Sequence, residues 1–132
     1  MRVLQIGENA SVAGLLEALG ALGVAVERWP EGDREAGGAA EVAALARQLR
    51  ELESALANGG PDAVLVASDS TASLAAVLVA TKVGKPVAAL AGPLADAAGA
   101  NATLIRQLAD ATLPPEPPAI SEWLSAIYTH RP

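Results

Sequence analysis

Two strand-length apolar runs flank a helix-length segment between Pro61 and Pro93, and this arrangement constrains the fold more than any other feature of the sequence. Residues 63–67 are a continuous run of Ala, Val and Leu, residues 71–82 have the length and composition of a helix, and residues 87–91 are a second apolar run. Strands that are apolar at every position are typical of parallel sheets covered on both faces. The segment therefore predicts a β-α-β unit with a right-handed crossover.

The rest of the chain continues this alternation of strand and helix. Further strands are predicted at residues 3–6, 24–29 and 111–113, and further helices at residues 11–22, 39–57, 101–109 and 120–128. The pattern predicts an α/β fold, a three-layer α/β/α sandwich of the Rossmann or flavodoxin-like kind with a five-stranded parallel sheet. We expect the strand order 2-1-3-4-5 and one α/β domain over residues 1–132.

Apolar residues at helical spacing predict which faces of the helices are buried. Leu22 is expected to be the last buried residue of the first helix. The buried face of the second helix is expected to begin with Val42 and to continue with Leu45, Leu49, Leu52 and Leu56. Ser11 and Ser121 are predicted N-caps. Residues 114–118, Pro-Pro-Glu-Pro-Pro, are predicted to be extended. The terminal helix after them either packs on its own sheet or forms a mobile apolar arm that joins a second copy of the chain.

Composition and charge exclude several classes of function. Hydrophobic residues make up 52% of the 132 residues, enough for one core. The formal net charge is −6 and no Lys/Arg cluster is present, which argues against a nucleic acid or a membrane surface as partner. There is no Cys, and no acidic or His cluster has metal-ligand spacing, so we expect no metal and no cofactor. No apolar stretch reaches transmembrane length, and we expect a cytoplasmic protein.

The polar residues Ser68, Asp69, Ser70 and Thr71, here called the seam, interrupt the apolar segment where a predicted strand gives way to a helix. Ligands of parallel α/β sheets bind beyond the carboxyl ends of the strands, and a helix N-terminus presents free N–H groups there. Residues of these types are also common helix caps. Two interpretations stay open: Asp69 or Ser70 caps the helix, or the seam contacts a ligand.

The stretch from the seam onward resembles the N-terminal half of the non-hydrolysing UDP-N-acetylglucosamine 2-epimerases. "PDAVLVASDSTASLAAVLVATKVG" followed by "KPVAALAG" is similar to that family's strand, Gly-Asp-Thr turn, small-residue helix and Gly-x-Pro-Val strand. "NATLIRQLADATLPP" is similar to its Asn-Arg-x-x-x-Asp-x-x-Ala-Asp segment. The resemblance covers residues 61–115 best. It implies ligand contact by the seam, by Gly7 in the first glycine turn and by Asn101, with a nucleotide or nucleotide sugar as ligand.

The departures from the family pattern replace two carboxylates and two arginines, whereas Asp69 stands where the family has an aspartate. Ala91 stands where the family has a glutamate, Ala98 or Gly99 where it has a second acidic residue, and Ala102 where an arginine follows the shared asparagine. The arginine of the first glycine turn is missing from "GENAS". The family also places its active site between two such domains, and this chain has room for one. We therefore expect no catalytic residue in the chain.

Two classes of function follow from this comparison. The first is a non-catalytic binding or interaction domain, with a nucleotide-like ligand or a partner protein. The second is a subunit or half of a nucleotide-sugar epimerase or glycosyltransferase-like enzyme, whose site a partner chain completes. A fold without its site does not carry the function, which favours the first class. We also expect a homodimer, because a domain that lacks its usual neighbour should expose an apolar surface.

Overall fold

The computed structural model describes residues 1–7, 14–30, 38–57, 59–91 and 99–129. The strands are β1 (Arg2–Ile6), β2 (Ala25–Trp29), β3 (Ala63–Val66), β4 (Val87–Leu90) and β5 (Ala111–Leu113). The helices are α1 (Leu15–Ala21), α2 (Gly38–Leu56), α3 (Thr71–Val83), α4 (Ala100–Leu108) and α5 (Pro117–Thr129). Each predicted strand and helix is present, and most ends agree within one or two residues.

The five strands form one parallel sheet in the order β2-β1-β3-β4-β5, so the predicted topology is confirmed. Strand β1 is second in this order and pairs with β2 on one side and β3 on the other. Its last residue, Ile6, lies opposite both Trp29 and Val66. The chain reverses direction across the sheet at β1, and parallel α/β sheets open their binding crevice at such a reversal.

Two apolar clusters cover the two faces of the sheet. Helices α2, α3 and α4 contribute Leu52, Leu56, Ala76 and Ile105 to the cluster on one face. Helices α1 and α5 contribute Leu15, Leu19, Ile120 and Leu124 to the cluster on the other. The predicted three-layer α/β/α sandwich is therefore confirmed.

Helix α3 lies between α2 and α4 and is buried along most of its length. Its buried residues are mostly small, namely Ala72, Ser73, Leu74, Ala75, Ala76, Val77, Val79 and Ala80. Small side chains bring a helix close to its neighbours, and a core without Phe requires such close packing. This packing fixes the N-terminus of α3 at the carboxyl ends of the strands.

Two predicted core residues are exposed. Leu22 is 54% exposed, because α1 ends at Ala21 and Leu22 only caps it. Val42 is 67% exposed. Ala44 lies on the buried face of α2, and this face therefore points away from Val42. The predicted cap Ser11 lies outside the described residues.

The last helix starts earlier than the sequence suggested. Helix α5 begins at Pro117, so Ser121 lies inside the helix and the prediction that it is the N-cap was wrong. Proline is well tolerated in the first turn of a helix, where its missing N–H needs no partner. Ile120 is fully buried and Leu124 nearly so, which shows that α5 packs on its own sheet. Among the described residues, no helix is long and apolar enough to cross a membrane.

Candidate functional site at the carboxyl edge of the sheet

The seam and Gly7 meet where β1 and β3 end. Gly7 has a φ of 89°, in the left-handed region that favours glycine. A Cβ atom on Gly7 would lie 2.5 Å from Ser68 Oγ and 2.9 Å from Ser68 N. The main chain also closes here, because the N–H of Ala67 donates to the carbonyl of Ile6 at 2.8 Å. The turn after β1 is thus in direct contact with the start of the seam.

The hydroxyls of Ser68 and Ser70 in the seam and of Ser73 in α3 form a closed triangle of hydrogen bonds. Ser68 Oγ is 2.8 Å from Ser73 Oγ and 3.2 Å from Ser70 Oγ, and Ser70 Oγ is 3.1 Å from Ser73 Oγ. Each hydroxyl can donate one hydrogen bond and accept others, so the triangle satisfies all three. The hydroxyls of Ser68 and Ser70 therefore hold the loop together, and contact of these two residues with a ligand stays a prediction.

Ser70 is the N-cap of α3. Its backbone is extended, and its Oγ accepts a hydrogen bond from the N–H of Ser73 at 3.1 Å. The capping interpretation is therefore confirmed for Ser70, as expected for this residue type at a helix start. Ser73 is fully buried and was missed by sequence reasoning. The available signal was a small polar residue three positions after a potential cap.

The backbone of Asp69 is bonded, whereas its carboxylate has no partner among the described residues. Asn101 Nδ2, from the first turn of α4, donates to the carbonyl oxygen of Asp69 at 3.1 Å. Within the described part of the chain, no hydrogen bond or ion pair engages the Asp69 carboxylate or the Thr71 hydroxyl. Both residues are half-buried. The structure thus brings together Gly7 with Ser68, and Asp69 with Asn101, at one edge of the sheet.

Gln5 lies beneath this edge and was also missed. It is only 2% exposed, and its Nε2 donates to the carbonyl of Gly7 at 3.2 Å. Its Oε1 is buried without a hydrogen-bond partner. A buried amide in an otherwise apolar strand is costly unless it is bonded. The only signal in the sequence was one polar residue inside the apolar run that forms β1.

The seam suits neutral hydrogen-bond donors. Its single ionisable side chain is Asp69, and a carboxylate accepts hydrogen bonds from hydroxyl and N–H groups. None of Gly7, the seam residues and Asn101 is a cation that could neutralise a diphosphate. No group of three or more His, Cys, Asp or Glu that could hold a metal occurs among the residues that the structure describes.

Three positions at which the resemblance places charged residues are occupied by alanine or glycine in the described structure. Ala102, at the place of an arginine in the epimerases, is fully buried in the cluster that contains α3. Gly99 is the N-cap of α4 and offers no side chain. Ala91, at the end of β4, is half-buried, and its N–H donates to the carbonyl of Leu113. Ala98 lies outside the described residues.

No protein-family model matches the sequence, and no curated protein matches it either. Solved structures do match its fold. The UDP-GlcNAc 2-epimerase of Methanocaldococcus jannaschii in complex with UDP-GlcNAc and UDP has a TM-score of 0.69 at 19% identity, over 96% of this chain and 43% of its own. The S. aureus MnaA–UDP co-structure has a TM-score of 0.66 at 20% identity, over 95% of this chain and 40% of its own.

A third match has the same character. The UDP-GlcNAc 2-epimerase of Neisseria meningitidis bound to UDP-GlcNAc has a TM-score of 0.62 at 17% identity, over 96% of this chain and 43% of its own. The resemblance expected from the sequence is confirmed as a shared fold. The chain spans about two fifths of the length of these structures, consistent with the N-terminal part of the epimerases.

Proposed function

We propose that the chain is a non-catalytic binding domain for a nucleotide sugar, whose sugar or ribose hydroxyls contact the seam. The observation that carries this proposal is the Asp69 carboxylate, which has no partner in the described residues. Asp69 follows β3, next to β1, where the order of the strands reverses. Loops placed by a rigid scaffold commonly carry function. Three epimerase structures of the same fold were solved with UDP or UDP-GlcNAc, which supports this ligand class for the chain.

We propose that the chain is non-catalytic because the seam has too few groups that can act as acid and as base. Moving a proton on and off a sugar carbon needs positioned groups that act as acid and as base. Asp69 is the one such group among Gly7, residues 68–71 and Asn101. The neighbouring positions Ala91 and Gly99 cannot exchange protons. Asp69 therefore acts in this proposal as a hydrogen-bond acceptor for a sugar or ribose hydroxyl.

The binding test uses UDP-GlcNAc and UDP in isothermal titration calorimetry. We expect UDP-GlcNAc to bind, and Asp69→Asn to weaken its binding by about tenfold or more, since a hydrogen bond to a charged group contributes roughly 1.5–3 kcal/mol. Glu53→Gln makes the same change of charge at an exposed position on α2 and should leave the affinity unchanged. Absence of binding at millimolar concentrations of both compounds would refute the proposal. Equal affinities of the wild type and Asp69→Asn would place the site elsewhere.

The alternative is that the chain forms half of an enzyme and a partner chain completes its site. The coverage favours this alternative, because the chain matches only 40–43% of each epimerase structure. We expect the isolated chain to produce no epimerised sugar from UDP-GlcNAc. Turnover that disappears in Asp69→Asn would show that the seam is catalytic and would replace the non-catalytic proposal. Turnover that survives in Asp69→Asn would indicate a contaminating enzyme.

Self-association is part of the same proposal. A groove of about 340 Å³ lies between the end of α1 and helix α5, with Val24 and Leu124 in its lining and the exposed Leu22 at its edge. The lining also contains Ser121 and Ser125, and Leu22 is the exposed apolar side chain that a second copy of the chain could cover. We expect sedimentation equilibrium at micromolar concentration to show a homodimer, and Leu22→Ser to shift it toward the monomer. A monomer mass for the wild type would contradict this expectation.

The cytoplasmic location expected from the sequence also stays a prediction.

A further inference from the structure

We infer that Asn101 is a positioning residue, which holds the Asp69 carboxylate in the orientation that receives a ligand. The inference rests on the proposed function of the seam. The hydrogen bond from Asn101 Nδ2 to the Asp69 carbonyl is 3.1 Å long and joins residues 32 positions apart in the chain. It connects the start of α4 to the loop before α3. Asn101 itself bonds to the backbone of Asp69, which leaves the carboxylate open.

The residues on both sides of Asp69 are fixed, which leaves the peptide group between Asp69 and Ser70 as the part of the loop with most freedom to rotate. On one side, Ser68 is fixed by its bond to Ser73 Oγ and by its contact with Gly7. On the other side, Ser70 is fixed as the N-cap of α3. The carbonyl of Asp69 belongs to the peptide group between Asp69 and Ser70, so a donor on that carbonyl restrains ψ of Asp69. Asn101 supplies this donor and so completes the constraint on the loop.

Asn101 stands on a rigid base. The next residue, Ala102, and Ile105 one turn later are both fully buried in the cluster that also contains the buried face of α3. Side chains locked by packing hold a binding group more accurately than a flexible loop does. Because α3 and α4 share this core, the distance between Asn101 and the seam is set by the fold and needs no ligand.

Two variants of Asn101 separate positioning from stability. Asn101→Ala removes the side-chain amide, and Asn101→Asp keeps its size but has no N–H donor. The helix dipole favours an acidic residue in the first turn and offsets part of the cost of the lost hydrogen bond, so Asn101→Asp should unfold at a temperature close to that of the wild type. Gln107→Ala, at an exposed position on the same helix, is the matched control.

The first measurement is NMR on the free protein. The amide nitrogen of Ser70 shares its peptide group with the accepting carbonyl, so its ¹⁵N resonance should shift in both Asn101 variants and stay unchanged in Gln107→Ala. The N–H groups of Ser73 and Leu74 donate to Ser70, and their hydrogen exchange should speed up by about threefold to tenfold in both variants, as the loss of one hydrogen bond nearby predicts. Unchanged resonances and exchange would overturn the inference even if no nucleotide binds to the wild type.

The second measurement is the affinity for UDP-GlcNAc. Both Asn101 variants should bind it about threefold to tenfold more weakly, while Gln107→Ala binds it like the wild type. Faster exchange at the loop with unchanged affinity would show that Asn101 orders the loop without serving the ligand, and would overturn the inference. A wild type that binds neither UDP-GlcNAc nor UDP refutes the proposed function itself, and the positioning role for a ligand falls with it.

Discussion

Replacing Gly7 by alanine is expected to lower the melting temperature by roughly 10 °C. A left-handed backbone and a forced contact together cost about 3 kcal/mol, and each kcal/mol lowers the melting temperature of a domain of this size by a few degrees. The added Cβ would lie 2.9 Å from Ser68 N, and Ser68 cannot easily yield because its hydroxyl is bonded to Ser73. Thermal unfolding followed by circular dichroism gives the measurement.

Gly23→Ala provides the matched control for Gly7→Ala. Gly23 has nearly the same φ, 86°, but a Cβ there would meet nothing within 4 Å. It should cost about 1 kcal/mol, the penalty of the left-handed backbone alone. A larger drop for Gly7→Ala measures the contact between the first turn and the seam. Equal drops would mean that this contact is loose, and the description of a tightly closed sheet edge would then be wrong.

The architecture could be predicted because its strongest signals are local. Strands β3 and β4 are short, apolar at every position and separated by one helix, which leaves a parallel pair as the consistent arrangement. The start of α5 could not be predicted in the same way. Proline favours both an extended segment and the first turn of a helix, and the buried position of Ile120 decides between them.

The candidate site was predicted less completely than the fold. Asp69 and Ser70 stood out as polar residues between apolar runs, and the residue type alone suggested the cap that Ser70 forms. Asn101 was identified only through the family resemblance, because a bond across 32 residues leaves no local pattern. Ser73 and Gln5 were missed, since each has apolar neighbours in the sequence and depends on partners that only the fold supplies.

Ile120→Ala is expected to destabilise the protein by about 2–5 kcal/mol, the cost of removing a large aliphatic side chain from a packed core. Ile120 is fully buried, together with Leu124, in the cluster that α5 forms with α1 and the sheet. The melting temperature should fall by roughly 10 °C, measured by thermal unfolding.

Glu122→Ala is the control on the same helix, since Glu122 is exposed and its loss should change the melting temperature by less than about 2 °C. Sedimentation equilibrium on both variants completes the experiment. If α5 were an arm exchanged between two copies, Ile120→Ala would lower the mass of the assembly, and the shift in melting temperature would change with protein concentration. If α5 packs as described, the unfolding of Ile120→Ala shifts by the same amount at every concentration, because the lost contacts lie within one chain.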